Sequence, residues 1–223
     1  MIKPSLLALL GALVLFAGPT LSIAQGNATE PQEIRELRVK AERGDVRSQY
    51  ELAVRYEEGL GVPVNNADAV KWHRRAADEG FGGAQFALGN IYADGKGVSK
   101  NSAEAVKWYR RAADQGSAAA QHNLGVMYEN GEGVPKNDTE AVKWYRRAAD
   151  QGNASAQYNL GLMYANGNGV PKNDTEAYFW WNLAAAQGKE NAKNNRDIVE
   201  EKMTREQIAE AQRKSAAWKP KKE

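Results

Sequence analysis

The sequence predicts an all-α fold, an α/α solenoid of four 36-residue helix-turn-helix repeats with helical caps at both ends. Three observations carry that prediction. Trp72, Trp108, Trp144 and Trp180 stand 36 residues apart. Three further columns keep the same spacing: Gln49, Gln85, Gln121 and Gln157; Leu52, Leu88, Leu124 and Leu160; Tyr56, Tyr92, Tyr128 and Tyr164. Each unit also holds two stretches whose apolar residues recur at helical spacing, separated by paired glycines. The units are 45–80, 81–116, 117–152 and 153–188.

From the start of the chain, residues 1–24 read as a secretory signal peptide. Lys3 supplies the positive charge, and Leu6 to Ala17 is an unbroken apolar run. Ser22-Ile23-Ala24 offers the small residues a signal peptidase reads, so cleavage is expected after Ala24. The apolar run falls short of the ~20 residues of a membrane-spanning helix. The expected product is exported, periplasmic or secreted, and meets a membrane only if the segment stays uncleaved. Residues 25–44 supply an N-terminal capping helix, with Ala41 and Gly44 in register with Ala77 and Gly80.

Each unit then reads as two helices. At 100° per residue, positions 48, 49, 52, 53 and 56 share one face, as do Ala120, Gln121, Leu124, Gly125 and Tyr128. This helix A stops at Gly59, Gly95, Gly131 and Gly167, where glycine takes the left-handed conformation of a helix end. A Gly-x-Gly-Val turn follows. Helix B is announced by Asn65…Asp68, Asn101…Glu104, Asn137…Glu140 and Asn173…Glu176, each resembling a capping box. It turns Ala141, Trp144, Tyr145, Ala148 and Ala149 inward in the third unit. Gly89, Gly125 and Gly161 fall in the helix A interface, where a missing side chain permits close approach.

Residues 189–223 are expected to form two capping helices, about 190–202 and 205–217, and a basic tail. Thr204-x-x-Gln207 is a capping box for the second helix, and the tail from Lys219 is expected to fray. In the fourth helix B, Phe179, Asn182 and Leu183 replace three charges of the earlier units, so that face should lie under the cap.

Residues 156–164 (Ala-Gln-Tyr-Asn-Leu-Gly-Leu-Met-Tyr), the Gly-x-Gly-Val turns and residues 141–152 (Ala-Val-Lys-Trp-Tyr-Arg-Arg-Ala-Ala-Asp-Gln-Gly) carry a resemblance. They are similar to Sel-one-like repeats, a branch of the tetratricopeptide-like superfamily, over about residues 45–188. The resemblance implies an α-solenoid and an interaction scaffold, in a family with many exported bacterial members. It implies no single activity. Some members are described as β-lactamase-like or penicillin-binding. This sequence has no Ser-x-x-Lys, no Lys-Thr-Gly and none of the paired cysteines of those relatives.

Composition narrows the chemistry further. With no cysteine, disulfides, thiolate metal sites and a cysteine nucleophile are excluded. The two histidines are too few for a multi-histidine metal site. His73 fills the column of Tyr109, Tyr145 and Trp181, and His122 that of Tyr50, Phe86 and Tyr158, so both read as packing residues. Thirty basic and 28 acidic residues give a net charge of +2, which is no footprint for nucleic acid. Neither His-Glu-x-x-His nor a phosphate-binding loop is present. The expectation is a protein without catalytic residues, cofactor or metal.

Two sets of surface columns remain as candidate binding sites. Opposite the buried face of helix A stand Glu51, Val54 and Glu58, then Ala87, Asn90 and Asp94. Asn123, Val126 and Asn130 follow, then Asn159, Leu162 and Asn166. In solenoids of this type helix A lines the concave surface, and these side chains suit a protein or peptide partner in the cell envelope. Tyr50, Phe86 and Tyr158 stand at the edge of the strip, as groove anchors or as inter-repeat packing. The second set is a ridge on helix B: Lys71, Arg74 and Arg75; Lys107, Arg110 and Arg111; Lys143, Arg146 and Arg147. It reads as a polysaccharide- or peptidoglycan-binding surface, or as a solvated convex face carrying Arg-to-Asp pairs at i,i+4. The first set is the favoured site, and the solvated face the favoured reading of the second.

Overall fold

A computed structural model describes residues 30–221, so segment 1–24, where a signal peptide is expected, lies outside the described residues. Eleven helices follow one another, with no strand among the described residues. A first helix, α1 (Gln32–Glu42), precedes four pairs. These are α2 (Val46–Glu58) with α3 (Asn66–Asp78), and α4 (Gly82–Asp94) with α5 (Ser102–Asp114). Then come α6 (Ala118–Asn130) with α7 (Asp138–Asp150), and α8 (Ala154–Asn166) with α9 (Asp174–Ala186). The chain closes with α10 (Glu190–Glu200) and α11 (Arg205–Ala217). Among the described residues no helix is long and apolar enough to cross a membrane.

Local chemistry sets the helix ends. Asn65, Asn101, Asn137 and Asn173 each accept the backbone N–H three residues on, at 3.0–3.1 Å. The reciprocal half of the expected capping box does not form at these four sites. The backbone N–H of each Asn already donates, to the carbonyl of Tyr56, Tyr92, Tyr128 or Tyr164. The acidic residue is thereby released, and Glu104 and Glu140 pair with Lys107 and Lys143. Thr204 and Gln207 do complete a reciprocal box at the start of α11. Gly59, Gly95, Gly131 and Gly167 end the A helices with φ of 74° to 77°.

The buried face of helix A differs by one position from the periodic expectation. Tyr92, Tyr128 and Tyr164 are only half-buried, while Ile91, Met127 and Met163 beside them enter the core. The tyrosines instead reach the preceding unit with their hydroxyls. Arg74, Arg110 and Arg146 donate to Tyr92, Tyr128 and Tyr164, and Arg38 donates to Tyr56 at 2.7 Å. These contacts replace the expected Arg-to-Asp pairs within one helix. They also make α1 behave as the helix B of a missing half-unit.

Inside the stack, the glutamine column is buried and polar. Gln49, Gln85, Gln121 and Gln157 donate to the carbonyls of Ala41, Ala77, Ala113 and Ala149 at the end of the preceding helix. Each satisfies a helix-terminal acceptor that would otherwise be stranded in the core. The glycine column sets the distance between the two helices of a unit. A Cβ on Gly125 would lie 2.6 Å from the ring of Tyr145, and Gly89 and Gly161 meet Tyr109 and Trp181 in the same way. The second glycine of the turn sets the distance between units. A Cβ on Gly133 would overlap the Ser102 carbonyl, and its φ of 72° adds a second reason for glycine there.

At the C-terminal end, Phe179, Trp180, Trp181 and Leu183 are buried where α10 and α11 pack on α9. Gln212 reaches the Tyr178 hydroxyl and Lys214 lies over the Phe179 ring. The tail does not fray as far as Lys221. The Lys221 backbone N–H donates to the Asp150 carbonyl at 2.8 Å, and its ammonium meets the Asp150 carboxylate at 2.8 Å.

Candidate functional site

In the middle of the stack α4 touches α6 directly past the intervening α5, which puts these A helices on the inner side. Their outward-facing residues therefore share one concave face, and side chains bridge consecutive units along it. Tyr109 donates its hydroxyl to the Asn90 carbonyl oxygen at 2.8 Å, and the Asn123 amide reaches the same oxygen at 3.4 Å. His122 sits between Asn123 and Asn159, with Nδ1 3.2 Å from Asn123 Oδ1 and Nε2 3.3 Å from Asn159 Nδ2. An amide nitrogen can only donate, so Nε2 accepts and the proton belongs on Nδ1. Burial holds the His122 pKa below its ordinary value, which keeps that neutral tautomer in place.

The Tyr145 ring packs against His122 from beneath, with ring centroids 5.8 Å apart. Tyr145, fully buried, donates to Glu129 at 2.5 Å, and burial with this partner pushes its pKa up. The rings of helix B thus hold the polar groups of helix A from below. Asn90 spends only its carbonyl in this network, and its NH2 group has no hydrogen-bond partner among the described residues.

The other predicted residues divide clearly. Val54, Ala87, Val126 and Leu162 are half-buried along the strip, while Glu58, Asp94, Asn130 and Asn166 are exposed at its end. Glu51 is paired with Arg55 at 3.3 Å. The edge aromatics pack on rings: Tyr50 on His73 of its own unit at 5.5 Å between centroids and on Phe81 of the next unit at 5.0 Å, and Phe86 on Tyr109 of its own unit at 6.0 Å. Tyr158 lends its carbonyl to the Trp181 indole at 3.1 Å.

The basic ridge is largely committed inside the molecule. Arg74, Arg110 and Arg146 hold the tyrosines of the next unit. Arg75, Arg111 and Arg147 lie 4.6–4.9 Å above the rings of Trp72, Trp108 and Trp144. Lys107 and Lys143 pair with Glu104 and Glu140, and Lys71 stands over Trp72.

Sequence reasoning missed six participants. Glu129 was passed over among the acidic residues. Gln115, Gln151 and Gln187 form their own 36-residue column and donate to Gln85, Gln121 and Gln157 at 2.7–2.8 Å. Arg47 and Phe81 line the concave edge with Tyr50, and Phe81 breaks a column of helix-capping residues.

The comparisons with known proteins bear on the repeats. The Sel1 repeat family model matches residues 46–81, 83–117, 118–153 and 154–189. The chain belongs to the Sel1 repeat family. Among solved structures, this Sel1 repeat protein is similar to c5321, a protective antigen of uropathogenic Escherichia coli strains displaying an SLR fold. The two share 42% identity and a TM-score of 0.70 over 71% of this chain and 34% of the antigen. A Sel1 repeat protein from Oxalobacter formigenes is 40% identical, with a TM-score of 0.68, over 72% of this chain and 66% of that one. The chain therefore spans about a third of the first relative and just under two thirds of the second. Among curated proteins, none matches it. Sel1 repeat proteins generally mediate protein–protein interactions, and the family is typically a non-catalytic scaffold.

Proposed function

We propose that this chain is a non-enzymatic scaffold of the cell envelope that holds a protein partner by an extended segment laid along the concave face. The observation that supports this most is the asparagine–histidine ladder from Asn90 through Asn123 and His122 to Asn159. Its amides run across three units, are half-buried, and are held in place by the Tyr109 hydroxyl and by the Tyr145 ring against His122 before any partner arrives. Such a pre-organised row suits the repeating N–H and C=O groups of an extended peptide, because the ordering cost is met on folding rather than on binding. The aliphatic Val126 and Leu162 beside it add apolar contact. Placement in the envelope rests on the leader-like features of residues 1–24.

The test is a triple variant, Asn90→Lys, Val126→Lys and Leu162→Lys, which changes the concave face of units two to four. Partner capture by chemical crosslinking in the native envelope should be lost while circular dichroism shows the helices still formed. Undiminished capture would contradict the proposal. Neutralising the ridge with Arg74→Gln, Arg110→Gln and Arg146→Gln is expected to act on stability, as the tyrosine contacts require.

A further inference from the structure

The opening residue of the second unit departs from its column. Asp45, Ser117 and Asn153 cap α2, α6 and α8 by accepting the backbone N–H three residues on. Phe81 stands at the same place before α4 and makes no side-chain cap bond. Gly82 and Gly83 follow it in the first helical turn, where glycine weakens a helix. Gly83 has a steric role. A Cβ there would lie 2.9 Å from the Phe81 ring and 3.6 Å from the Tyr50 ring. The Phe-Gly-Gly departure thus weakens the start of α4 and lets Phe81 pack against Tyr50, with ring centroids 5.0 Å apart.

Tyr50, Val54 and Phe81, with Arg47 and Glu51, line a groove of about 340 Å³ at the concave edge of α2. That volume is at the lower end of the range for small-ligand sites. Its two charges are not equivalent. Glu51 is matched by Arg55, which also holds Glu33 at 2.6 Å. Arg47 is exposed, and its guanidinium has no hydrogen bond or ion pair among the described residues. The groove therefore combines an aromatic–aliphatic floor with one unspent positive charge at its rim.

We infer that this groove receives an aromatic side chain of the partner's peptide segment, with a carboxylate beside that side chain pairing with Arg47. The inference rests on the concave-face reading above and names the chemistry of one subsite. It accounts for a helix start that forgoes the cap used by three sister helices. It also accounts for an exposed arginine at the groove rim whose guanidinium makes no hydrogen bond or ion pair among the described residues.

The probe is N-acetylphenylalanine, which carries the ring and the carboxylate, against N-acetylphenylalanine amide, which lacks the charge. Titrated into the isotopically labelled protein, the acid should shift the resonances of Tyr50, Val54 and Phe81 with an affinity at least threefold above that of the amide. Arg47→Gln should reduce the acid to the level of the amide. Phe81→Ser, which restores the cap oxygen found at Ser117 and removes the ring from the groove, should abolish the shifts. Equal affinity for acid and amide would overturn the inference. So would shifts that avoid the groove, or a Phe81→Ser variant that binds the acid as tightly as the unaltered protein. The triple variant of units two to four leaves the groove untouched. If that variant loses the partner while the probe misses the groove, only the subsite is refuted; if it keeps the partner, the concave-face reading itself is refuted.

Discussion

Gln49 and Glu79 stand in the first unit where Gln85 and Gln115, Gln121 and Gln151, and Gln157 and Gln187 stand in the other three. In those units the second glutamine donates to the Oε1 of the first. A carboxylate in place of the amide has no N–H to give, and among the described residues Gln49 Oε1 is buried with no hydrogen-bond partner. Glu79→Gln should supply the missing donor and stabilise the protein by about 1 kcal/mol, the net value of a typical hydrogen bond. Urea denaturation of the two proteins side by side checks it. An unchanged midpoint would show that the orphan is satisfied by other means.

The spacing of the two helices in a unit rests on the glycine column. Gly125→Ala places a methyl group 2.6 Å from the ring of Tyr145, which is fully buried and held by Glu129. Relief requires a backbone shift, so the expected loss is about 1–3 kcal/mol. The first unit has Ala53 in this column and the smaller ring of His73 opposite it. His73→Tyr alone should therefore destabilise, and Ala53→Gly added to it should recover most of the loss. A double-mutant cycle by thermal melting reads this coupling directly.

Much of this was legible in the sequence because a repeat states its own structure four times. The tryptophan, leucine and glutamine columns announced the two helices and their inward faces, and the glycines at 89, 125 and 161 announced a close approach. What period alone did not reveal is where a residue bridges units. The helical wheel put Tyr92, Tyr128 and Tyr164 in the core, yet a phenol has a hydroxyl to satisfy, and an arginine of the preceding helix supplies the donor. The Asn–Glu start signals suggested full capping boxes for the same reason. The competing acceptor, a tyrosine carbonyl, lies in a different helix and leaves no mark near Asn101 or Asn137 in the sequence.

Acid should weaken the fold through its two histidines. His73 is fully buried, and burial outweighs the neighbouring Glu57 to hold its pKa below the ordinary value, as burial does for His122. Both are then neutral in the folded state and must take up a proton more readily once unfolded. Their contribution is complete above about pH 6.5 and is lost as pH falls below that value towards the depressed folded-state pKa values. The melting temperature should be flat from pH 8 to about 7 and fall below about 6.5. His122→Phe, which restores the residue type of Phe86, should flatten part of that fall.

The ridge arginines should report on stacking between units. Arg110→Gln removes the donor to Tyr128, and Arg111→Gln removes the cation 4.6 Å above Trp108. Each exposed contact is worth about 0.5–1 kcal/mol. Lys107→Gln, whose partner Glu104 lies on the same helix surface, should cost less than either. Guanidinium melts of the three variants rank them.

The concave-face account is tested most directly by site-specific photocrosslinking in the native envelope. A photoreactive phenylalanine analogue would replace Val126, half-buried on the inner strip, or Lys107, exposed on the outer ridge. The account predicts a discrete protein adduct from position 126 and none from position 107. An adduct from position 107 with none from 126 would contradict it.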